Sequence, residues 1–223
     1  MFFDKDGNEY PNSNDEIIEK FQTITGIKQR RYANKEHKTS DLATFAAQNA
    51  IKDAGIDKET IDYIIVAHNF GDIEYGTNQY IALPSVATMV KHKLNILNEN
   101  CVAYDIIFGC PGWIEGVIQA SAFIKSKMAK RCLVIGADTL SRTIDESDRD
   151  SMIFADGAGA TIIEENLEPG GILSHKTITK AGKEALYLFC ETSYNPKNTK
   201  SVKLLKWMVE KYMNLLYLIF LVL

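Results

Sequence analysis

The chain has 223 residues and only four cysteines, Cys101, Cys110, Cys132 and Cys190, with no CxxC pair and no zinc-ligand spacing. A metal knuckle or a disulfide framework is therefore not expected, and a reduced thiol protein is. Excess positive charge is lacking as well. Lys and Arg number 25 against 29 Asp and Glu, a formal net charge of −4, which gives no footing for a nucleic-acid partner. No long apolar run is present. The stretch from Leu215 to Leu223 falls short of the about 20 residues that a bilayer requires, and extending it backwards meets Asn214, Lys211 and Glu210. The opening residues are polar and carry no signal-peptide core. These absences together predict a cytoplasmic protein with no membrane span.

Apolar stretches alternate between two periods. Residues 15–21 have helical spacing that ends near Gly26, and Thr39 or Ser40 suits the N-cap of a helix closed by Gly55. A further helix is expected over about 85–94, and another from Cys110 to about Lys127. Residues 61–67, 102–108, 131–137 and 158–163 read as buried strands, with 171–175 as a further one, while 69–78 and 141–150 read as loops. Strands alternating with helices call for an α/β sheet sandwiched by helices.

The stretch from Val102 to Gly116 organises the rest: a strand, a break at Gly109, then Cys110, Pro111 and a helix. A thiol at a helix N-terminus meets the positive end of the macrodipole and free amides, which favour thiolate and can hold an oxyanion. Small buried cysteines at tight turns are common, so on these residues alone a packing role stands beside the catalytic one. The run Gly157-Ala-Gly-Ala-Thr161 imitates a dinucleotide turn, but a strand rather than a helix follows it. Its small residues are expected to allow close backbone packing instead.

Five pieces then coincide in order: Thr25-Gly-Ile27 with Arg30 and Arg31, Gly109-Cys-Pro-Gly-Trp113, the segment from Val134 to Arg142, Asp145-Glu-Ser-Asp-Arg149, and the segment from Phe154 to Ala160. Over about residues 15–203 they resemble the N-terminal half of β-ketoacyl-[acyl-carrier-protein] synthase III, of the thiolase superfamily. The resemblance implies a thiolase-like layered α/β fold, here its N-terminal half only, with a mixed sheet flanked by helices. It implies an acyltransferase whose cysteine accepts an acyl group as a thioester, followed by decarboxylating Claisen condensation with malonyl carrier protein. Cys110 matches the nucleophile, and its backbone amide one oxyanion donor. Arg149 matches an arginine placed against the coenzyme A adenine, and Thr25 lies in the matching entrance. Met152 and Phe154 match positions near the acyl tunnel. No tightly bound cofactor and no metal are implied. Acyl-CoA or acyl carrier protein is the substrate, and carrier protein and a second copy in a homodimer are the partners.

Departures accompany the match. The family's adenine-stacking tryptophan falls at Lys20 and an entrance arginine at Ile24, so an acyl chain from carrier protein stands beside coenzyme A as donor. The family's catalytic histidine and asparagine come from a C-terminal half that has no counterpart here, and His37, His68, His92 and His175 occupy no matching position. Loss of such donors, worth about 10²–10³ in rate each, predicts impaired condensation. The alternative is a catalytically dead remnant or interaction module. An unrelated cysteine hydrolase, with His68 as base, is a third reading. Residues 1–14 are expected to be an arm, 15–203 the thiolase-like half, and 204–223 a tail outside the family. Shifted by one base under a suitable codon choice, 205–217 would read KMDGRKIYEFA, a family-like segment, which marks the tail as a frameshift product.

Overall fold

The computed structural model describes residues 1–166 and 171–208. In chain order the principal elements are α1 (Asn14–Thr25), α2 (Thr39–Ala54), β1 (Tyr63–His68), β2 (Asp72–Ile73), β3 (Tyr80–Ile81), α3 (Val86–Lys93), β4 (Val102–Ile107), α4 (Gly112–Lys125), β5 (Arg131–Thr139), β6 (Asp156–Glu164), β7 (Leu188–Glu191) and β8 (Leu204–Trp207). The chain divides into two compact bodies. One holds Tyr32–Arg142 and Asp156–Thr177, and the other holds Met1–Arg31, Thr143–Ala155 and the chain from Ile178 on.

The larger body is a four-stranded sheet in the order β4-β1-β5-β6. β1 runs parallel to β4 and β5, and β6 returns antiparallel to β5. Strand alternation splits the core into two layers. Ile64, Val66, Leu133, Ile135 and Ala137 pack with Ala43, Ala47, Val86 and Val90 of α2 and α3. Ile65, Cys132 and Val134 pack with Ala120 and Ile124 of α4 on the opposite face. Helices on both faces explain why β1 and β5 are nearly continuous apolar runs.

β4 departs from the sequence reading. It is an edge strand with Val102 and Ile107 exposed, because an apolar run does not distinguish the middle of a sheet from its rim. Two further expectations fail. Residues 172–175 join no ladder, and Leu173 is 93% exposed. The small residues of β6 do not serve close packing: a Cβ added at Gly157 or Gly159 meets nothing within 4 Å.

Helix ends are set by local chemistry. Ser13 and Glu16 form a capping box, with Glu16 N–H donating to Ser13 Oγ at 3.3 Å and Ser13 N–H to Glu16 Oε2 at 2.8 Å. Gly26, at φ 71°, ends the same helix in the left-handed conformation. At α2 the cap is Lys38, one residue before the expected Thr39 or Ser40. Those two hydroxyls are used in packing instead. Thr39 donates to the Gly71 carbonyl at 2.7 Å, and the Asp72 carboxylate accepts both Ser40 N–H and Ser40 Oγ–H at 2.7 Å.

α4 lies unusually close to the sheet, and glycines permit it. A Cβ at Gly112 would sit 2.9 Å from Ala67 Cβ, and one at Gly116 would sit 2.7 Å from Val134 Cγ1. Gly116→Ala is therefore expected to destabilise the larger body by about 1–3 kcal/mol through overpacking. Urea denaturation checks it, and the added variant Val134→Ala, which opens the space, should recover part of the loss.

The smaller body pairs β7 antiparallel with β8. The arm is less exposed than its composition suggests: Phe3 is buried, and its N–H donates to the Ser147 carbonyl at 2.9 Å. The segment 141–150, read as a charged loop, buries Asp145 and Asp148. Of the region read as a frameshifted tail, Leu204–Trp207 forms β8; residues 209–223 lie outside the described residues.

Candidate active site

Cys110 stands at the corner between β4 and α4. Gly109 adopts φ 75°, which L side chains rarely tolerate, and Gly112 N–H donates back to the Gly109 carbonyl at 3.0 Å. The four-residue turn leaves Cys110 and Pro111 at its apex, with Cys110 exposed. Pro111 acts as N-cap and Gly112 is the first helical residue, one position later than the sequence suggests.

What lies beneath the turn follows from register. Gly116 packs on Val134, and Trp113 Cβ would be 3.2 Å from a Cβ at Gly136. Three residues back along the helix correspond to two residues on along the same face of β5. Asp138 stands two residues beyond Gly136 on the same face of β5. Asn69, just beyond β1, clamps this carboxylate: its N–H donates to Oδ1 at 2.9 Å and its Nδ2 to Oδ2 at 2.7 Å.

The electrostatics reverse an expectation. Burial pushes the Cys110 thiol above its ordinary pKa, and the Asp138 carboxylate pushes it the same way; only the cysteine's own backbone N–H opposes them. The helix terminus was expected to favour thiolate; although the residue keeps an open face, crowding around the sulfur and a neighbouring negative charge act against it. Burial likewise raises Asp138, against the hydrogen bonds from Asn69 and the influence of His68.

His68 is not a base for Cys110. Ala67 faces α4, so the alternation of β1 turns His68 to the α3 side, where its Nε2 lies 2.9 Å from Asp105 Oδ2 and its Nδ1 has no hydrogen-bond partner. The hydrolase reading loses its histidine on that ground.

The remaining sequence-predicted residues, Thr25, Arg149, Met152 and Phe154, all belong to the smaller body. Thr25 Oγ1 donates to the Phe21 carbonyl at 2.7 Å and serves the end of α1. Arg30 holds the segment carrying Met152, donating to the Met152 carbonyl at 3.3 Å and the Ile153 carbonyl at 2.5 Å. Arg149 is exposed, its guanidinium 4.4 Å from the Tyr10 ring centre and its Nε 3.7 Å from Asp150 Oδ1. Burial, with Asp148 alongside, pushes Asp150 up to about 6. The Phe154 ring sits 5.6 Å from that of Trp207. Among the described residues no cluster of His, Cys, Asp and Glu fit to hold a metal is found. No helix among them is long and apolar enough to cross a membrane.

The mixed sheet flanked by helices is thiolase-like, as in solved structures of 3-oxoacyl-[acyl-carrier-protein] synthase III. The family of 3-oxoacyl-[acyl-carrier-protein] synthase III matches residues 104–181. The β-ketoacyl-[acyl-carrier-protein] synthase III of Neisseria meningitidis serogroup C is 43% identical over 170 residues, 73% of this chain and 50% of its own. That of Vibrio parahaemolyticus is 45% identical over 152 residues, 68% of this chain and 45% of its own. The crystal structure of 3-oxoacyl-[acyl-carrier-protein] synthase III from Aquifex aeolicus superposes with a TM-score of 0.72 at 27% identity, covering 92% of this chain and 62% of that one. The chain belongs to the β-ketoacyl-[acyl-carrier-protein] synthase III family of the thiolase superfamily. It spans about half the length of the curated relatives it matches.

Proposed function

We propose that Cys110 accepts an acyl group as a thioester, the first half-reaction of a 3-oxoacyl-[acyl-carrier-protein] synthase III, within fatty acid or related biosynthesis. The observation that carries this is the Gly109–Gly112 turn, which presents an exposed thiol at the head of a helix bedded on β5 through glycine contacts. The donor is acyl-CoA or acyl carrier protein. Arg149 and Thr25 are assigned to donor binding and Met152 and Phe154 to the acyl tunnel, as the family resemblance implies. Carrier protein is the macromolecular partner, and no tightly bound cofactor takes part. A homodimer through the free edge of β4, where Val102, Ile107 and Phe108 are exposed, and a cytoplasmic location suited to four free thiols complete the reading.

Condensation is a separate matter. The resemblance assigns it a histidine and an asparagine with no matching position in residues 15–203, and His68 is committed to Asp105. The second reading, an acylation-silent remnant, is favoured by the raised Cys110 thiol. Intact-mass measurement after incubation with acyl-CoA donors separates the two. One acyl adduct, absent from Cys110→Ala, is expected; an unmodified chain under every donor favours the remnant.

A further inference from the structure

Residues 1–10 fold back on themselves and are fastened down. Phe3 and Glu9 pair as an antiparallel bridge, and Tyr10 N–H donates to the Phe2 carbonyl at 3.1 Å. One side chain closes the turn between them: Asp4 Oδ1 accepts from the N–H groups of Asp6 and Asn8, both at 2.9 Å. Phe3 anchors this hairpin to the 143–155 segment, its side chain buried and its N–H donating to the Ser147 carbonyl at 2.9 Å. Tyr10 directly follows Glu9, and Arg149 lies just beyond Ser147, so one anchor brings the two together. The guanidinium carbon of Arg149 lies over the Tyr10 ring, 4.4 Å from its centre.

Arg149 has one further neighbour, Asp150, whose Oδ1 lies 3.7 Å from its Nε. Asp148 is committed elsewhere: its Oδ1 accepts Asp150 N–H at 3.0 Å, and its Oδ2 lies 3.6 Å from Lys206 Nζ. No other described residue pairs with the guanidinium, and 44% of the side chain stays exposed. A ring over the guanidinium and a carboxylate at Nε thus restrain a long side chain, while its two terminal nitrogens keep no partner. A guanidinium stacks on planar rings and donates in its own plane to phosphate oxygens, so the group held here suits a nucleotide. An arginine ordered before binding also loses less side-chain freedom when the ligand arrives.

We propose that Tyr10 is a positioning residue for the donor: its ring holds the Arg149 guanidinium ready for the adenine nucleotide portion of coenzyme A. The proposal rests on the reading that Arg149 serves the donor, and adds the residue that orients it.

Isothermal titration calorimetry of the full chain tests it, with coenzyme A and with phosphopantetheine, which carries the thiol arm and one phosphate but no adenine. Wild type is expected to bind coenzyme A more tightly than phosphopantetheine, and Arg149→Ala to abolish that advantage. Tyr10 is only half-buried, and Tyr10→Leu keeps apolar bulk without a ring. This variant is expected to weaken coenzyme A by about threefold to tenfold and to leave phosphopantetheine unchanged. Tyr10→Phe should bind as wild type does, because the ring and not the hydroxyl is used. Equal weakening of both ligands in Tyr10→Leu would report a general loosening of the arm and overturns the proposal. So does a loss of coenzyme A affinity in Tyr10→Phe. Weakening by Arg149→Ala with Tyr10→Leu unchanged overturns the role of Tyr10 and leaves the donor reading standing. An advantage that survives Arg149→Ala, or is absent from wild type, overturns the donor reading of Arg149 and the role of Tyr10 with it.

Discussion

Lys206→Met is expected to lower the stability of the smaller body by about 3–5 kcal/mol, the loss typical when one partner of a buried ion pair is removed. Lys206 is fully buried, and its Nζ contacts Asp145 Oδ2 and lies 3.6 Å from Asp148 Oδ2 and 3.4 Å from the Tyr194 ring centre. Asp145 is also held by Ser193 Oγ–H at 2.9 Å and Tyr194 N–H at 2.8 Å. Burial alone would raise the Asp145 carboxyl, but these hydrogen bonds and the ammonium hold it below the usual range. Methionine fills a similar volume, so the cost reports the two stranded carboxylates rather than a cavity. A carboxyl with a lowered folded pKa contributes stability above its unfolded value, about 3.9, and loses it as pH falls through the folded value. The deficit of Lys206→Met should accordingly be largest near neutrality and shrink as pH falls, first as Asp148, which burial raises, takes up its proton and then through the lowered value of Asp145. Urea denaturation read by Trp207 fluorescence, in a Trp113→Phe background, measures it. A deficit independent of pH would show that the cluster does not act through charge.

Asp105→Ala carries the second large effect, about 2–4 kcal/mol in the larger body, through buried donors left without an acceptor. One carboxylate serves three donors: Val86 N–H at 2.8 Å and Ala87 N–H at 2.7 Å in the first turn of α3, and His68 Nε2 at 2.9 Å. Burial works against its ionisation, yet the bonds from His68, Ala87 and Val86 prevail and keep its pKa low. It ties a short helix to β4 and holds, among the described residues, the one hydrogen bond of a buried imidazole. Equilibrium denaturation of wild type and variant from neutral pH to below the usual carboxylate range provides the check. The gap is expected to narrow as the wild-type carboxyl takes up its proton, and Asp105→Asn should keep part of the stability.

Much of this molecule was legible in the sequence where pattern and chemistry agree. β1 and β5 announce themselves as covered strands, Gly26 and Gly55 as helix ends, and Cys110 as the residue at the strand-to-helix corner. What escaped was set by tertiary placement. The exposure of β4 depends on its place in the strand order, which its composition does not encode. Thr39 and Ser40 look like caps, yet partners on Gly71 and Asp72 draw their hydroxyls into the core. His68 looked near enough to Cys110 to assist it, but one residue of alternation sends it to the opposite face. Asp138 and Asn69 carried a signal visible only once α4 was known to lie over Val134 and Gly136. Asp145 and Lys206 lie 61 residues apart, and no local pattern links them.

The central claim is that the sulfur at the β4–α4 corner takes an acyl group. Proteolytic peptide mapping after exposure to acetyl-CoA tests it most directly, because Cys190 is also exposed and offers an internal control. An acetyl thioester on the peptide bearing Cys110, released by hydroxylamine and missing from the Cys190 peptide, is the predicted result. Equal labelling of both cysteines, or of neither while carrier-bound acyl chains also fail to transfer, would contradict it.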